Sequence, residues 1–417
     1  MRLRTSRQTP VVAEKRMYLS PEHNRQVAEK LFGHIRESTT DMIAETYEYS
    51  LSVYSDPEIA LAERERIFEH YPMMALHASQ LPEAGSYATV KLNRSEALVT
   101  RGKDGKVRAF LNMCRHRGAT LVTQASGKQG RFSCPYHGWT YTNEGQLIGL
   151  TFKSTLGLDL PCPQRNLIEL PCEERHGFVW IVENPEGSID VAAHLGPVMD
   201  GVLAGYGLDR QYFYREEIFD FAQNWKIMVD GLTDGYHVQW VHGPTIRPYF
   251  YMNIMARVEG TGDHAVTTTP RRKIDEILDS EPGAHDLDPY VVYGNMVFPN
   301  VSIQLHPHHV EFWTMYQDVH NPGRSRVHMR FLTPKAAGDY DEKGRGILDK
   351  NWDIAAAAIL NEDVPIGDSI QRSANMPNTG TMLLAHNEVI NQQFHRSYDR
   401  VMAGGSVVPM AARAARG

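Results

Sequence analysis

Apolar and charged residues recur at helical spacing over about residues 20–46, behind Pro21-Glu22, and Ile59-Ala-Leu-Ala-Glu-Arg-Glu-Arg-Ile-Phe68 continues the pattern with strong helix formers. At Tyr87 the period changes to two. Thr89–Leu92, Glu96–Thr100 and Lys106–Leu111 alternate as strands, and Lys103-Asp104-Gly105 is the turn signal between the last two. This all-β stretch ends near His176–Val182, and Glu183-Asn-Pro-Glu-Gly-Ser marks a boundary. Beyond it Tyr212–Ala222, Val291–Leu305, Val310–Val319 and Ser325–Leu332 read as strands, and helical runs at 343–375 and 386–403 close the pattern. Strands gathered in the middle with helices at either end predict an α+β chain whose second half is an antiparallel sheet embracing a helix. The expected organisation is a tail and helical arm at 1–50, a β domain with its preceding helix at 51–185, a second domain at 186–405 and a tail at 406–417.

Composition narrows the class. A chain of 417 residues has room for two or three domains with separate cores, and 42% apolar with 22% charged residues is ordinary for a globular protein. The formal net charge of −7 supplies neither the basic stripe of a nucleic-acid binder nor a polybasic membrane patch. No run of eighteen apolar residues appears, so neither nucleic acid nor membrane is an expected partner. The first thirteen residues carry three arginines and no acid but lack the apolar stretch of a secretory signal. Four cysteines exclude a disulfide scaffold, and Cys162 and Cys172 read as thiols of a reducing compartment, so the expected location is cytoplasmic.

The chemistry lies in two short segments. Cys114-Arg-His116 and, seventeen residues on, Cys134-Pro-Tyr-His137 each deliver one thiolate and one imidazole. That alternation suits a [2Fe–2S] cluster with both cysteines on one iron and both histidines on the other. A Cys₂His₂ zinc site uses the same ligand types, although zinc fingers usually pair cysteine with cysteine. Further on, His237-x₄-His242 follows Asp234 by three residues, and two imidazoles with one carboxylate form the facial set that leaves positions open on Fe(II). Positions five apart on a regular helix point about 140° away from each other, so both histidines reach one metal only where the helix ends or distorts. Gly243-Pro244 is the signal for an ending there. Asp234 is the nearest carboxylate, but proximity does not settle which acid completes the set.

Three runs carry a family resemblance: Asn112-x-Cys-Arg-His-Arg-Gly118, Cys134-Pro-Tyr-His-Gly-Trp-x-Tyr141, and Asn224-Trp-Lys-x₃-Asp230-Gly-x-x-Asp234-x-Tyr-His237-x₄-His242. Together they resemble the large, terminal oxygenase subunits of Rieske non-heme iron ring-hydroxylating oxygenases, over most of residues 50–400. The resemblance implies an all-β Rieske [2Fe–2S] domain following the helical N-terminal segment, then a C-terminal helix-grip catalytic domain built on an antiparallel sheet. It implies cluster ligands Cys114, His116, Cys134 and His137 and iron ligands His237 and His242. The third iron ligand is then Asp363, in the run Glu362-Asp-x₇-Gln-Arg372, with Glu362 and Asp368 as neighbours. Asp234 becomes a bridge from His237 to His137 of another subunit. Electrons would come from NAD(P)H through a separate reductase, with or without a ferredoxin, into a homotrimer or a trimer with a β subunit. Ala119 and Tyr136 stand where respiratory Rieske proteins carry a further cysteine pair, which argues for a lower-potential cluster suited to oxygen chemistry.

The implied reaction is O₂ activation and hydroxylation of an aromatic or related organic substrate. Mono-oxygenation, including O- or N-demethylation, is the alternative. A plain electron-transfer Rieske protein would need little more than residues 85–185. Two departures from the family pattern stand out. Pro72 replaces a usual tryptophan, and Gly231 replaces an asparagine found in some hydrocarbon oxidisers, which weakens the inference to cis-dihydroxylation. Candidate pocket positions are Met228, Val229, Leu232, Val297, Phe298, Asn300, Phe312 and Met315. His306, His308 and His309 read as a polar loop without metal, and Arg247 or Arg330 as possible carboxylate clamps or as ordinary ion pairs.

Overall fold

The computed structural model describes residues 18–243 and 245–404; the expected C-terminal tail and the arginine-bearing N-terminal stretch lie outside the described residues. Helix Pro21–Glu37 begins where Ser20 accepts the His23 N–H at 3.2 Å and Pro21 presets the first turn. It stops at Ser38, which takes the left-handed conformation, φ 55°, so the helix is shorter than its pattern suggested. The chain then runs to strand Tyr47–Ser50, paired with Thr381–Leu384 near the other end of the chain.

The β domain contains a five-stranded antiparallel sheet (169–170, 107–111, 96–101, 86–91, 126–128 in spatial order) and two three-stranded sheets. One of the latter is 131–133, 140–142 and 147–149; the other joins 172–175 and 178–181 to 73–77. The second domain is a seven-stranded sheet, in the order 212–221, 325–333, 310–317, 301–305, 291–297, 265–270, 256–257. Val301, Ile303, Leu305 and Phe312 point to one face, packed under helix Val191–Tyr206 and against Phe178 and Trp180 of the β domain. The other face carries Met296, Trp313, Met329 and Phe331, and packs near helices Trp225–Thr233 and Val389–Met402. The sheet therefore has buried surfaces on both sides, which is why residues 291–333 are so rich in apolar side chains.

Two elements were not expected from the pattern. Helix 191–206 is broken by Gly196-Pro197, with Gly196 at φ 66°, and this masks its periodicity. Strand Ala265–Pro270 contains three consecutive threonines and shows no clean alternation.

Helix Trp225–Thr233 leads into the histidine pair. Asn224 caps it by accepting the Lys226 N–H at 2.9 Å. Its first turn is tied to the segment at Pro57–Glu63 through Glu63, which is fully buried and accepts from Trp225 Nε1 at 2.9 Å, from the buried Lys226 ammonium and from the Tyr398 hydroxyl. Glu63→Ala leaves that ammonium buried without its carboxylate. We expect a loss of about 3–5 kcal/mol in urea unfolding; a change below about 1 kcal/mol would mean the pair does not anchor the helix.

Candidate metal centres

The first site lies on two matching loops. In each, the cysteine carbonyl accepts the N–H of a glycine four residues on (Gly118 to Cys114, 3.0 Å; Gly138 to Cys134, 2.9 Å). The cysteine N–H closes the turn onto the carbonyl of Ala119 or Trp139, at 2.8 Å in both loops. Gly118 and Gly138 have φ of 77° and 67°, a conformation that explains the glycine in both motifs. Cys114 and Cys134 are buried as free thiols, while His116 and His137 are only partly covered, with Nδ1 atoms 3.1 Å apart. The His116 ring stacks on Trp139 at 4.8 Å and 5°. Tyr141 places its hydroxyl 3.4 Å from Cys114 Sγ and accepts the Arg115 N–H at 3.0 Å. Burial, with the sulfur of Cys134 alongside, pushes the Cys114 thiol up, so without a cation the thiolate is disfavoured.

The second site solves the five-residue spacing by leaving the helix. Asp234 ends helix Trp225–Thr233 in extended conformation, His237 opens the single turn Val238–Val241, and His242 lies just beyond it at φ −100°, ψ 36°. Pro244, invoked as a stop signal, lies outside the described residues. His237 Nε2 and His242 Nε2 come to 3.2 Å of each other. Asp363 arrives from 121 positions later in the chain, with Oδ1 3.2 Å from His242 Nε2 and 3.5 Å from His237 Nε2. It is delivered by a π-helical turn, Ala358–Asp363, between helices Glu342–Ala357 and Val364–Ala374. Such widened turns often mark functional positions, because they re-aim side chains without ending the helix.

Both outer nitrogens are held by carboxylates. Asp234 Oδ2 lies 3.1 Å from His237 Nδ1, and Glu362 Oε2 lies 2.6 Å from His242 Nδ1 while accepting from Thr245 Oγ1 at 2.8 Å. Each acid thereby keeps the proton on Nδ1 and turns Nε2 inward as a free donor. Glu362 was read only as a neighbour of the ligand. Its orienting position is the one signal the acidic pair contained that sequence reasoning did not use.

Burial alone would lower the His237 pKa, but hydrogen bonds donated to Asp234 and Asp363 override it and raise the imidazole to about 9. His242 is also raised, against burial, by Asp363 and Glu362. Asp363 is lowered by the two imidazoles despite its own burial. In the metal-free protein His237 therefore holds a proton at neutral pH that a metal must displace. Affinity for Fe(II) or Co(II) should rise at least about tenfold per pH unit between pH 6.5 and about 9, then flatten. Chelator competition measures this, and a flat profile would contradict the placement of that proton.

A cavity of about 580 Å³ opens directly on His237, His242 and Asp363. Of the candidate pocket positions, Leu232 lines it and Met228 lines a smaller cavity of about 200 Å³ behind the triad. Val229, Val297, Phe298, Asn300, Phe312 and Met315 instead pack into the cores, with the Asn300 amide bound to the Met315 carbonyl at 2.9 Å. The cavity is faced instead by Thr267, Met296, Ser302, Gln304, Glu311 and Trp313 of the seven-stranded sheet. Arg330 is buried and paired with Glu216 at 2.7 Å, and Arg247 is exposed away from the cavity, so neither reaches a ligand there. His308 is exposed. His306 and His309 stack at 4.7 Å and place Nε2 at 3.2 and 3.3 Å from Glu311 Oε1, while Trp313 Nε1 donates to Glu311 Oε2 at 3.2 Å.

A buried cysteine pair beside two apposed imidazoles, and a two-histidine, one-carboxylate set opening on a cavity, define a two-centre metalloprotein of the iron–sulfur and non-heme iron class. Residues 71–162 match the Rieske [2Fe-2S] domain, and residues 208–404 match the ring hydroxylating alpha subunit (catalytic domain). The chain belongs to the Rieske oxygenase large-subunit family. It is 32% identical over 212 residues to the glycine betaine monooxygenase oxygenase subunit of Chromohalobacter salexigens, covering 50% of this chain and 46% of that protein. It is 30% identical over 202 residues to the anthranilate 1,2-dioxygenase large subunit of Acinetobacter baylyi, covering 47% and 42%. The chain thus spans about half the length of these curated relatives. Naphthalene 1,2-dioxygenase from Rhodococcus sp. shares the fold, with a TM-score of 0.70 at 21% identity over 92% of this chain and 98% of that one.

Family membership brings a Rieske cluster and a mononuclear iron as cofactors. The residues present fit both groups. Two thiols and two imidazoles face each other on the paired loops, and three inward nitrogen and oxygen donors, within 4.8 Å of one another, meet at the cavity. Among the described residues no helix is long and apolar enough to cross a membrane.

Proposed function

We propose that this chain is the terminal oxygenase component of a multicomponent system. Cys114, Cys134, His116 and His137 hold the cluster, and His237, His242 and Asp363 hold Fe(II). The observation that carries this reading is the convergence of the three donors on a cavity large enough for a small organic molecule. When bound, the iron supplies O₂ activation. The overall balance is O₂ plus two electrons, two protons and substrate, giving either a hydroxylated product and water or a diol carrying both oxygen atoms. The electrons come from NAD(P)H through a separate reductase, directly or by way of a ferredoxin. A cytoplasmic location suits that supply.

The chain's own residues orient and position. Asp234 and Glu362 fix the imidazole tautomers, and the polar positions on the sheet face orient the substrate above the metal. Asp234 is also the bridge to His137 of a neighbouring subunit in a trimer, with or without a β subunit. The surface around it supports a docked neighbour: Trp240 is 76% exposed, and Tyr236, Ile366 and Ile370 are exposed close to it in sequence or along the smaller cavity. On the cluster side, Tyr136 is likewise exposed beside His137.

The cavity wall favours a functionalised substrate over an unsubstituted hydrocarbon. Thr267, Ser302, Gln304 and Glu311 face it where an aromatic-hydrocarbon site would need apolar side chains, and Gly231 offers no amide. Substituted aromatic acids and mono-oxygenation or demethylation of polar substrates both fit. The relatives' names cover each, in anthranilate dioxygenation and glycine betaine mono-oxygenation.

Anaerobically reduced protein exposed to ¹⁸O₂ with a substrate panel tests the reading in a single turnover. Labelled product is expected, with two atoms for a diol and one for a hydroxylation or demethylation. Product oxygen drawn only from water, or no O₂ consumed by the reduced protein with any substrate, would sink it.

A further inference from the structure

Arg271 follows the last residue of strand Ala265–Pro270 and faces the cavity on the same side as Thr267 and Thr269. Its backbone is fixed on two sides: the N–H donates to the Tyr290 carbonyl at 2.8 Å, and the residue forms an isolated bridge with Phe250. The side chain lies over the Phe250 ring, guanidinium carbon 5.5 Å from its centroid. Arg271 is half-buried, yet among the described residues its guanidinium has no hydrogen bond and no carboxylate partner. Burial pushes its pKa down, and no acid offsets the effect.

Other covered arginines differ. Arg330 pairs with Glu216, Arg175 with Asp200 and Arg400 with Asp263. A covered cation without a partner costs desolvation energy that its own fold does not return. Glu311, the carboxylate on the same wall, cannot serve: both its oxygens are already engaged by His306, His309 and Trp313. The free fork of donors over an aromatic ring, aimed into the substrate cavity, has the geometry that recognises a planar carboxylate in two-point fashion.

We propose that Arg271 is the substrate-binding residue that selects a carboxylate-bearing molecule, holding its anionic end while another part lies at the iron. The inference rests on the oxygenase reading only for what happens at the metal; binding itself needs no turnover. The test is calorimetric binding to iron-loaded protein, cluster oxidised and O₂ excluded. The probes are benzoate, 3-phenylpropanoate and cyclohexanecarboxylate, each beside its primary amide. At least one acid should bind about ten- to a hundredfold tighter than its amide. Arg271→Gln should erase that preference, and Arg271→Lys should retain part of it. Iron content and the visible spectrum of the cluster should stay at wild-type levels in both variants, which separates lost recognition from lost folding. Equal binding of acids and amides, no binding by any acid, or a preference that survives in Arg271→Gln would each overturn the proposal. A preserved preference for acids without oxygen incorporation would instead count against the oxygenase reading and leave this one intact.

Discussion

Asp363→Ala should reduce metal content from about three irons per chain to about two, leaving the cluster pair and emptying the mononuclear position. Its Oδ1 stands within 3.5 Å of both inward imidazole nitrogens, so its loss removes the only carboxylate among the three converging donors. Oxygenation should fall below about a hundredth of the wild-type rate, while the visible and EPR signatures of the cluster persist. The two neighbouring acids give the contrast. Glu362→Gln keeps an oxygen beside His242 Nδ1 but removes its charge, so iron should still bind, with affinity weaker by about ten- to a hundredfold. Asp368→Asn should leave metal content alone, since Asp368 lies outside the converging group. Full iron content in Asp363→Ala would show that a different acid completes the site.

The second large effect concerns Asp234. Asp234→Asn keeps an oxygen near His237 Nδ1 but removes the charge, so at saturating iron both metal centres should still load. Turnover should nevertheless drop about ten- to a hundredfold, because the proposed carboxylate link between the imidazoles of two subunits would be gone. Mixed oligomers make the same point without touching the bridge. Chains carrying Cys134→Ala lack a cluster and chains carrying Asp363→Ala lack the mononuclear iron, and neither should act alone. Co-assembled in equal amounts, half the chains keep the iron, and half of those adjoin a chain with an intact cluster. Roughly a quarter of the wild-type rate should return in a cyclic trimer. No recovery in verified mixed oligomers would place electron transfer within one subunit and remove the bridging role.

Much of the chemistry was legible because metal ligands are restricted in type and spacing. The cysteine–histidine runs and the histidine pair could be read directly, and the structure brings His237, His242 and Asp363 together. The cavity wall was not legible. All eight residues of strand Val310–Gln317 are buried, so alternation there carries no inside–outside contrast and does not tell Phe312 from the cavity-facing Glu311 and Trp313 on either side of it. Phe312 turned out to be core on the opposite face, and Met315, on the same face as Glu311 and Trp313, packs into the core farther along the strand instead of lining the cavity. Arg271 was invisible for another reason. Nothing local distinguishes it from Arg272 beside it; what matters is the absence of a partner, a property of the folded neighbourhood alone.

The widened turn at Ala358–Asp363 has a consequence for how this stretch tolerates change. Its extra residue divides the long helical segment into two reading phases, about 100° apart around the axis. Side chains on the outer face of Glu342–Ala357 can be exchanged freely without disturbing the phase of Val364–Ala374. Removing a single residue from the turn would merge the phases and swing Asp363 more than a quarter-turn from the imidazoles, whatever residues remained. Along these positions, chain length is a stricter constraint than residue identity, and one-residue deletions are the changes this protein should accept least.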